Sequence, residues 1–159
     1  MKRFVPVVLT LICVMLLLTL CGQRNKFTLS QPYDNVSSVE IVYVADDNIL
    51  VKGFLDSIQS VCTVNVGQWH AFFDDFYSIT CSQYLNDPAE SVTGEVIRVT
   101  YKDGAFDLIG RYSIFYCTSE KSWDYLPYYF DYDAFNAFIN VWKNQQGQED
   151  ESVAPTDES

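Results

Sequence analysis

Residues 94–110 read GEVIRVTYKDGAFDLIG, and this stretch decides the fold of the chain. Apolar and polar side chains alternate on both sides of Asp103-Gly104, which is the pattern of β-strands with one buried face. Asp-Gly is a preferred dipeptide for two-residue hairpin turns, because such turns need positive φ angles. The sequence therefore predicts an antiparallel hairpin that turns at Asp103-Gly104.

The alternation also predicts the register of this hairpin. We expect a two-residue turn, with Lys102 opposite Ala105. Pairing outward from there puts apolar or small residues together on one face and mostly polar residues on the other. The expected pairs are Tyr101 with Phe106, Val99 with Leu108 and Ile97 with Gly110 on the apolar face, and Thr100 with Asp107, Arg98 with Ile109 and Val96 with Arg111 on the polar face.

Further strands are predicted before and after the hairpin, where β-branched and aromatic residues cluster between turn residues. Pro127 restricts the last of these strands to a sheet edge or an irregular segment, because proline cannot donate a hydrogen bond to a ladder. The predicted strands are Val36–Val44, Ile49–Leu55, Val61–Val66, Arg111–Cys117 and Tyr125–Phe130.

Two helices are predicted from aromatic residues that repeat at i, i+3, i+4 and i+7. They span Trp69–Thr80 and Asp133–Lys143. An antiparallel sheet with one apolar face needs a cover, and two one-faced helices supply it. We therefore expect an α+β fold, with an antiparallel sheet of about five to seven strands covered on one face by two amphipathic helices. The expected buried stripes are Trp69, Phe72, Phe73 and Phe76 in the first helix, and Phe135, Phe138, Ile139 and Trp142 in the second.

The N-terminus has the pattern of an export signal. Lys2 and Arg3 precede Phe4–Leu20, a run of 17 predominantly apolar residues. The last three residues of this run and the two that follow, Leu18-Thr19-Leu20-Cys21-Gly22, resemble the lipobox of bacterial lipoproteins. This resemblance implies cleavage before Cys21, a lipid on that cysteine, and a lipid-anchored location on the extracytoplasmic face of the cell membrane. The alternative is an uncleaved anchor, which also places the domain outside.

After the signal peptide, residues 1–20, the chain divides into three parts by composition. Residues 21–35 are polar enough to be a tether. Residues 36–143 contain all the predicted strands and helices, and are long enough for a single α+β domain. Residues 144–159 are polar and acidic, so we expect a disordered tail there.

The formal net charge of −11 limits the possible partners. Nucleic acid is disfavoured, because its binding depends on phosphate neutralisation by Lys and Arg. Cationic peptides, cationic proteins or metal ions match the charge better. The cysteines of the predicted domain, Cys62, Cys81 and Cys117, lack the short spacing of zinc ligands. We therefore expect neither a metal site nor a cofactor.

No catalytic motif is present in the sequence. His70 is the only histidine, and no nucleophile elbow, zinc-protease or phosphate-loop motif accompanies it. A small hydrolase that uses two carboxylates distant in sequence is the less favoured alternative. We expect a non-catalytic domain.

Tyrosines give the best indication of a binding surface, because they combine a large contact area with a polar tip. Tyr125, Tyr128 and Tyr129 flank Pro127, and we expect them to be the most exposed and to bind a protein or glycan partner at the cell surface. Packing of strand tyrosines in the core is the competing interpretation. An accessory subunit of an envelope complex, held by an uncleaved single-pass anchor, is the alternative function. The three tyrosines belong to a larger group of tyrosines in this part of the sequence, the tyrosine cluster, which comprises Tyr112, Tyr116, Tyr125, Tyr128, Tyr129 and Tyr132.

Overall fold

The computed structural model describes residues 27–45, 58–83, 92–118, 122–126 and 128–152. The leader, Cys21 and the predicted strand Ile49–Leu55 lie outside these residues. Within the described ranges, no helix is both long and apolar enough to cross a membrane. The strands are β1 Val36–Val44, β2 Ile58–Thr63, β3 Cys81–Gln83, β4 Gly94–Tyr101, β5 Phe106–Ile109, β6 Ile114–Cys117, β7 Trp123–Leu126 and β8 Tyr128–Phe130. The helices are α1 Trp69–Ser78 and α2 Tyr132–Ser152.

Six strands form one antiparallel sheet in the order β2-β1-β4-β5-β6-β7, and β3 pairs with β8 in a smaller sheet. The predicted α+β class is confirmed. The predicted strand Tyr125–Phe130 is divided, however, because β7 pairs with β6 whereas β8 pairs with β3. The division falls at Pro127, which has no N–H for a ladder.

The register of the central hairpin differs from the prediction by one residue. Val99 lies opposite Asp107, and the Tyr101 amide donates to the Ala105 carbonyl at 2.8 Å. The loop therefore has three residues, and its third residue, Gly104, has a positive φ of 85°. The Asp103 side chain accepts a hydrogen bond from the Ala105 amide at 3.0 Å, which stabilises this longer loop. A type I turn followed by a residue with positive φ is the usual three-residue hairpin.

The one-residue shift exchanges the two faces of β5. Asp107, expected on a polar face, lies on the helix-covered face and is fully buried. Phe106 and Leu108 instead lie on the opposite face, which is also apolar and buried over much of its area. The sheet therefore contributes to two hydrophobic clusters. The second cluster consists of Val42, Val44, Val92, Val96, Phe106, Leu108, Phe115 and Cys117.

The two helices cover the first face with the predicted aromatic stripes. Phe72, Phe73 and Phe76 of α1 are buried, as are the four stripe residues of α2. The α2 helix continues to Ser152, so residues 144–152 are helical where a disordered tail was expected. Gln146 fixes this extension, because its buried side chain accepts from the Asn65 amide at 3.3 Å and donates to Gln68 at 2.6 Å.

The segment before β1 belongs to the domain rather than to a tether. Phe27 is 4 % exposed, and its ring meets those of Phe76, Tyr128 and Phe130 edge to face at 5.7 to 6.1 Å between centroids. Further along, the Ser30 amide donates to the Asp107 carboxylate at 2.9 Å. The tether predicted over residues 21–35 is therefore too long, since Phe27 is buried and the Ser30 amide is bonded to the core residue Asp107.

Candidate functional site

The three tyrosines predicted to be most exposed are half-buried. Tyr125 packs against the second hydrophobic cluster, and Tyr128 packs against the first. Tyr129 is also half-buried. The exposure expected from Pro127 is wrong, because the proline separates two strands that belong to different sheets. The three tyrosines therefore do not form one open surface.

Two other members of the tyrosine cluster do form an exposed surface. Tyr112 is 42 % exposed and Tyr132 is 55 % exposed. The Arg111 guanidinium carbon lies over both rings, 3.7 Å from the centroid of Tyr112 and 4.0 Å from that of Tyr132. We call these three residues the tyrosine–arginine stack.

The backbone brings the members of the stack together from distant parts of the chain. Arg111 and Tyr112 follow β5, whereas Tyr132 begins α2. The Phe130 amide donates to the Arg111 carbonyl at 2.8 Å, so the start of α2 is held beside the end of β5. A cation over an aromatic ring is attracted by the ring quadrupole, and two rings restrict the guanidinium further. The stack is therefore a pre-arranged surface feature.

Arg111 differs from the other described basic side chains in its partners. Arg98 pairs with Glu40 at 2.5 Å, and Lys143 pairs with Glu95. Lys102 donates to the Asp34 carbonyl at 2.7 Å. Among the described residues no carboxylate lies within ion-pair distance of Arg111, and its Nε atom is buried without an acceptor. The contacts that the structure shows for its guanidinium are therefore those with the two tyrosine rings.

A groove of about 450 Å³ runs between α1 and α2. Its apolar lining includes Ile79, Phe138, Val141 and Trp142, and Asp75 and Asp131 are its two carboxylates. Asp131 immediately precedes Tyr132, so the groove and the stack are neighbours in the chain. Asp131 also caps α2, because its side chain accepts from the Ala134 amide at 2.9 Å. We call this feature the interhelical groove.

A buried polar pair lies in the core beneath the hairpin. The Tyr101 hydroxyl donates to the Asp107 carboxylate, and both side chains are at most 1 % exposed. Burial raises the pKa of Asp107, while the hydrogen bonds from Ser30 and Tyr101 lower it. Burial also raises the pKa of Tyr101, and the nearby Asp107 charge adds to this effect. The pair joins the segment after Phe27 to the hairpin, which is a structural role.

The remaining candidates from the sequence are dispersed. The His70 ring stacks on that of Tyr33 at 4.9 Å, at the exposed start of α1. Cys62, Cys81 and Cys117 are present as thiols. In the described part of the chain, no three metal-ligating side chains come together.

Comparison with known proteins found no match for this chain. The chain matches no protein-family model, no curated protein and no solved structure. Its function must therefore be inferred from the geometry of its own residues.

Proposed function

We propose that this chain is a membrane-tethered extracytoplasmic lipoprotein with a non-catalytic domain that binds a protein partner at the cell surface. Cys21 carries the lipid in this proposal, as the lipobox resemblance implies. The observation that supports the binding role is the tyrosine–arginine stack. Tyr112, Tyr132 and Arg111 form it, and both rings are exposed.

The composition of the stack suits protein recognition. Tyrosine and arginine are enriched among the residues that carry most of the energy of protein interfaces. Because Arg111 is already held between Tyr112 and Tyr132, little side-chain freedom remains to be lost on binding. A sugar would stack on an open ring face, whereas the guanidinium covers one face of each ring. These features favour a protein over the glycan partner that the sequence also allowed.

The proposed lipid would keep the domain close to the membrane. Only five residues separate Cys21 from Phe27, which is buried in the domain. Even a fully extended chain of this length spans no more than about 20 Å. The partner in this proposal is therefore a protein at or near the same membrane surface.

Photo-crosslinking in the expressing cell tests this function. A photoreactive amino acid replaces Tyr112 or Tyr132 in one set of variants, and Tyr43 in the control. Tyr43 is 44 % exposed and lies on β1, outside the stack. We expect a discrete protein adduct from positions 112 and 132, and its loss when Arg111→Ala is added. An identical adduct from position 43, or no adduct from either stack position, would contradict the proposal.

A further inference from the structure

We propose that the interhelical groove binds a basic amphipathic helix of the protein partner. This inference rests on the proposed binding function and adds the chemistry of the partner. The groove of about 450 Å³ lies within the range of typical ligand sites. Its size suits a few side chains from one segment.

The apolar lining selects apolar side chains. Phe138 and Trp142 are buried side chains of α2, and Ile79 follows α1. Val141 lines the groove while remaining 51 % exposed, although it lies in the middle of a helix. Covering this valine would remove apolar surface from water, which favours binding.

The charges of the groove select a cationic partner. Asp75 and Asp131 line it and are exposed, and none of its lining residues is basic. The four Lys and Arg side chains whose surroundings the structure describes contact other groups, which are Glu40, Glu95, the Asp34 carbonyl and the tyrosine rings of the stack. Lys or Arg at the borders of the partner segment would therefore complement the two carboxylates. The net charge of −11 adds a long-range attraction for the same cationic partner.

The backbone environment selects a helix rather than an extended peptide. The residues that line the groove come from α1, from α2, and from Ile79, Thr80 and Asp131 next to them. Backbone groups after the end of α1 and before the start of α2 are already paired. The Ile79 amide donates to the Phe76 carbonyl, and the Asp131 amide donates to the Thr80 carbonyl. An extended peptide needs a strand edge for its own N–H and C=O groups, whereas a helix pairs these groups internally. Apolar residues at i, i+3, i+4 and i+7 would then face the groove.

A designed peptide tests this inference on the full chain in a neutral detergent. The probe is a 14-residue peptide of leucine and lysine, with leucine on one helical face and one photoreactive residue on that face. A second peptide has glutamate in place of lysine. After irradiation, mass spectrometry maps the adducts. We expect the lysine peptide to label residues 134–142 of α2, and the glutamate peptide to label them at least tenfold less.

Matched variants locate the binding. Val141→Lys should lower labelling about tenfold, since it removes an apolar contact and adds a repulsive charge. Val66→Lys is the control, because Val66 is 70 % exposed and does not line the groove. Equal labelling by both peptides, equal labelling of Val141→Lys and wild type, or adducts outside the groove would overturn the inference. Groove labelling without cellular crosslinks from Tyr112 and Tyr132 would instead contradict only the role of the stack.

Discussion

The substitution Tyr101→Phe should destabilise the fold in a pH-dependent way. It removes only the hydroxyl that donates to Asp107, in a place where both side chains are buried. A hydrogen bond to a charged group contributes about 1.5–3 kcal/mol, and a neutral one contributes about 0.5–1.5 kcal/mol. We therefore expect the free energy of unfolding to fall by about 1 kcal/mol where Asp107 is protonated and by about 2 kcal/mol where it is charged.

The pH dependence follows from the raised pKa of Asp107. Because burial keeps the folded-state pKa above the unfolded value, the folded state retains a proton that the unfolded state has already lost. Stability therefore falls as pH rises from about 4, the unfolded pKa, and levels off above the folded pKa. The Tyr101 hydrogen bond lowers the folded pKa of Asp107, so this pKa rises further without the hydroxyl. The variant should therefore lose more stability than wild type as pH rises from the unfolded pKa through the folded pKa.

Urea unfolding of the detergent-solubilised chain, followed by near-ultraviolet circular dichroism at a series of pH values from about 4 to about 9, measures this difference. Tyr116→Phe is the matched control. Its hydroxyl accepts from the neutral Gln31 amide at 3.1 Å, and it is half-buried, so its smaller effect should not vary with pH. An equal loss for Tyr101→Phe at every pH of the series, or no loss at all, would refute the reasoning.

The remaining predictions concern the packing of the domain. Phe27→Ala should lower the free energy of unfolding by about 3–4 kcal/mol, because the ring packs against three others; a loss below about 1 kcal/mol would mean that this segment is not part of the core. Gly104→Ala should cost about 1 kcal/mol in the same unfolding assay, since its φ is 85°, whereas Gly67→Ala should change stability by less than about 0.5 kcal/mol; equal effects would exclude the observed turn. Gln146→Ala should speed hydrogen exchange of backbone amides after Lys143, because it removes two hydrogen bonds between this part of α2 and the segment before α1; unchanged exchange would contradict that role.

Patterns of period and turn chemistry predicted the α+β class, β1 and the positions of both helices. They placed two strands inexactly, since Val61–Val66 is observed as Ile58–Thr63 and Arg111–Cys117 as Ile114–Cys117, and they missed β3. The aromatic stripe of α1 and the limits of β1 appear as expected, because both depend on which side chains face the core. The register of the hairpin could not be obtained in this way. Asp103-Gly104 fits a two-residue or a three-residue loop, and the choice depends on the hydrogen bond between the Asp103 side chain and the Ala105 amide.

Residues that depend on tertiary contacts were not predictable from local composition. Phe27 lies in a polar segment, and only its contacts with distant rings show that the segment is packed. The exposed stack was missed for the same reason, although Arg111 next to Tyr112 is a possible signal. Tyr132 reaches this pair only because β8 and α2 return beside the end of β5.

The measurement that tests the central claim most directly is the mass of the protein taken from membranes of the expressing cell. It is made for wild type and for Cys21→Ser. The account predicts a wild-type mass equal to residues 21–159 plus a lipid, and the loss of this species in the variant. A full-length mass for both proteins would contradict the lipoprotein proposal, and would instead indicate an uncleaved anchor over Phe4–Leu20.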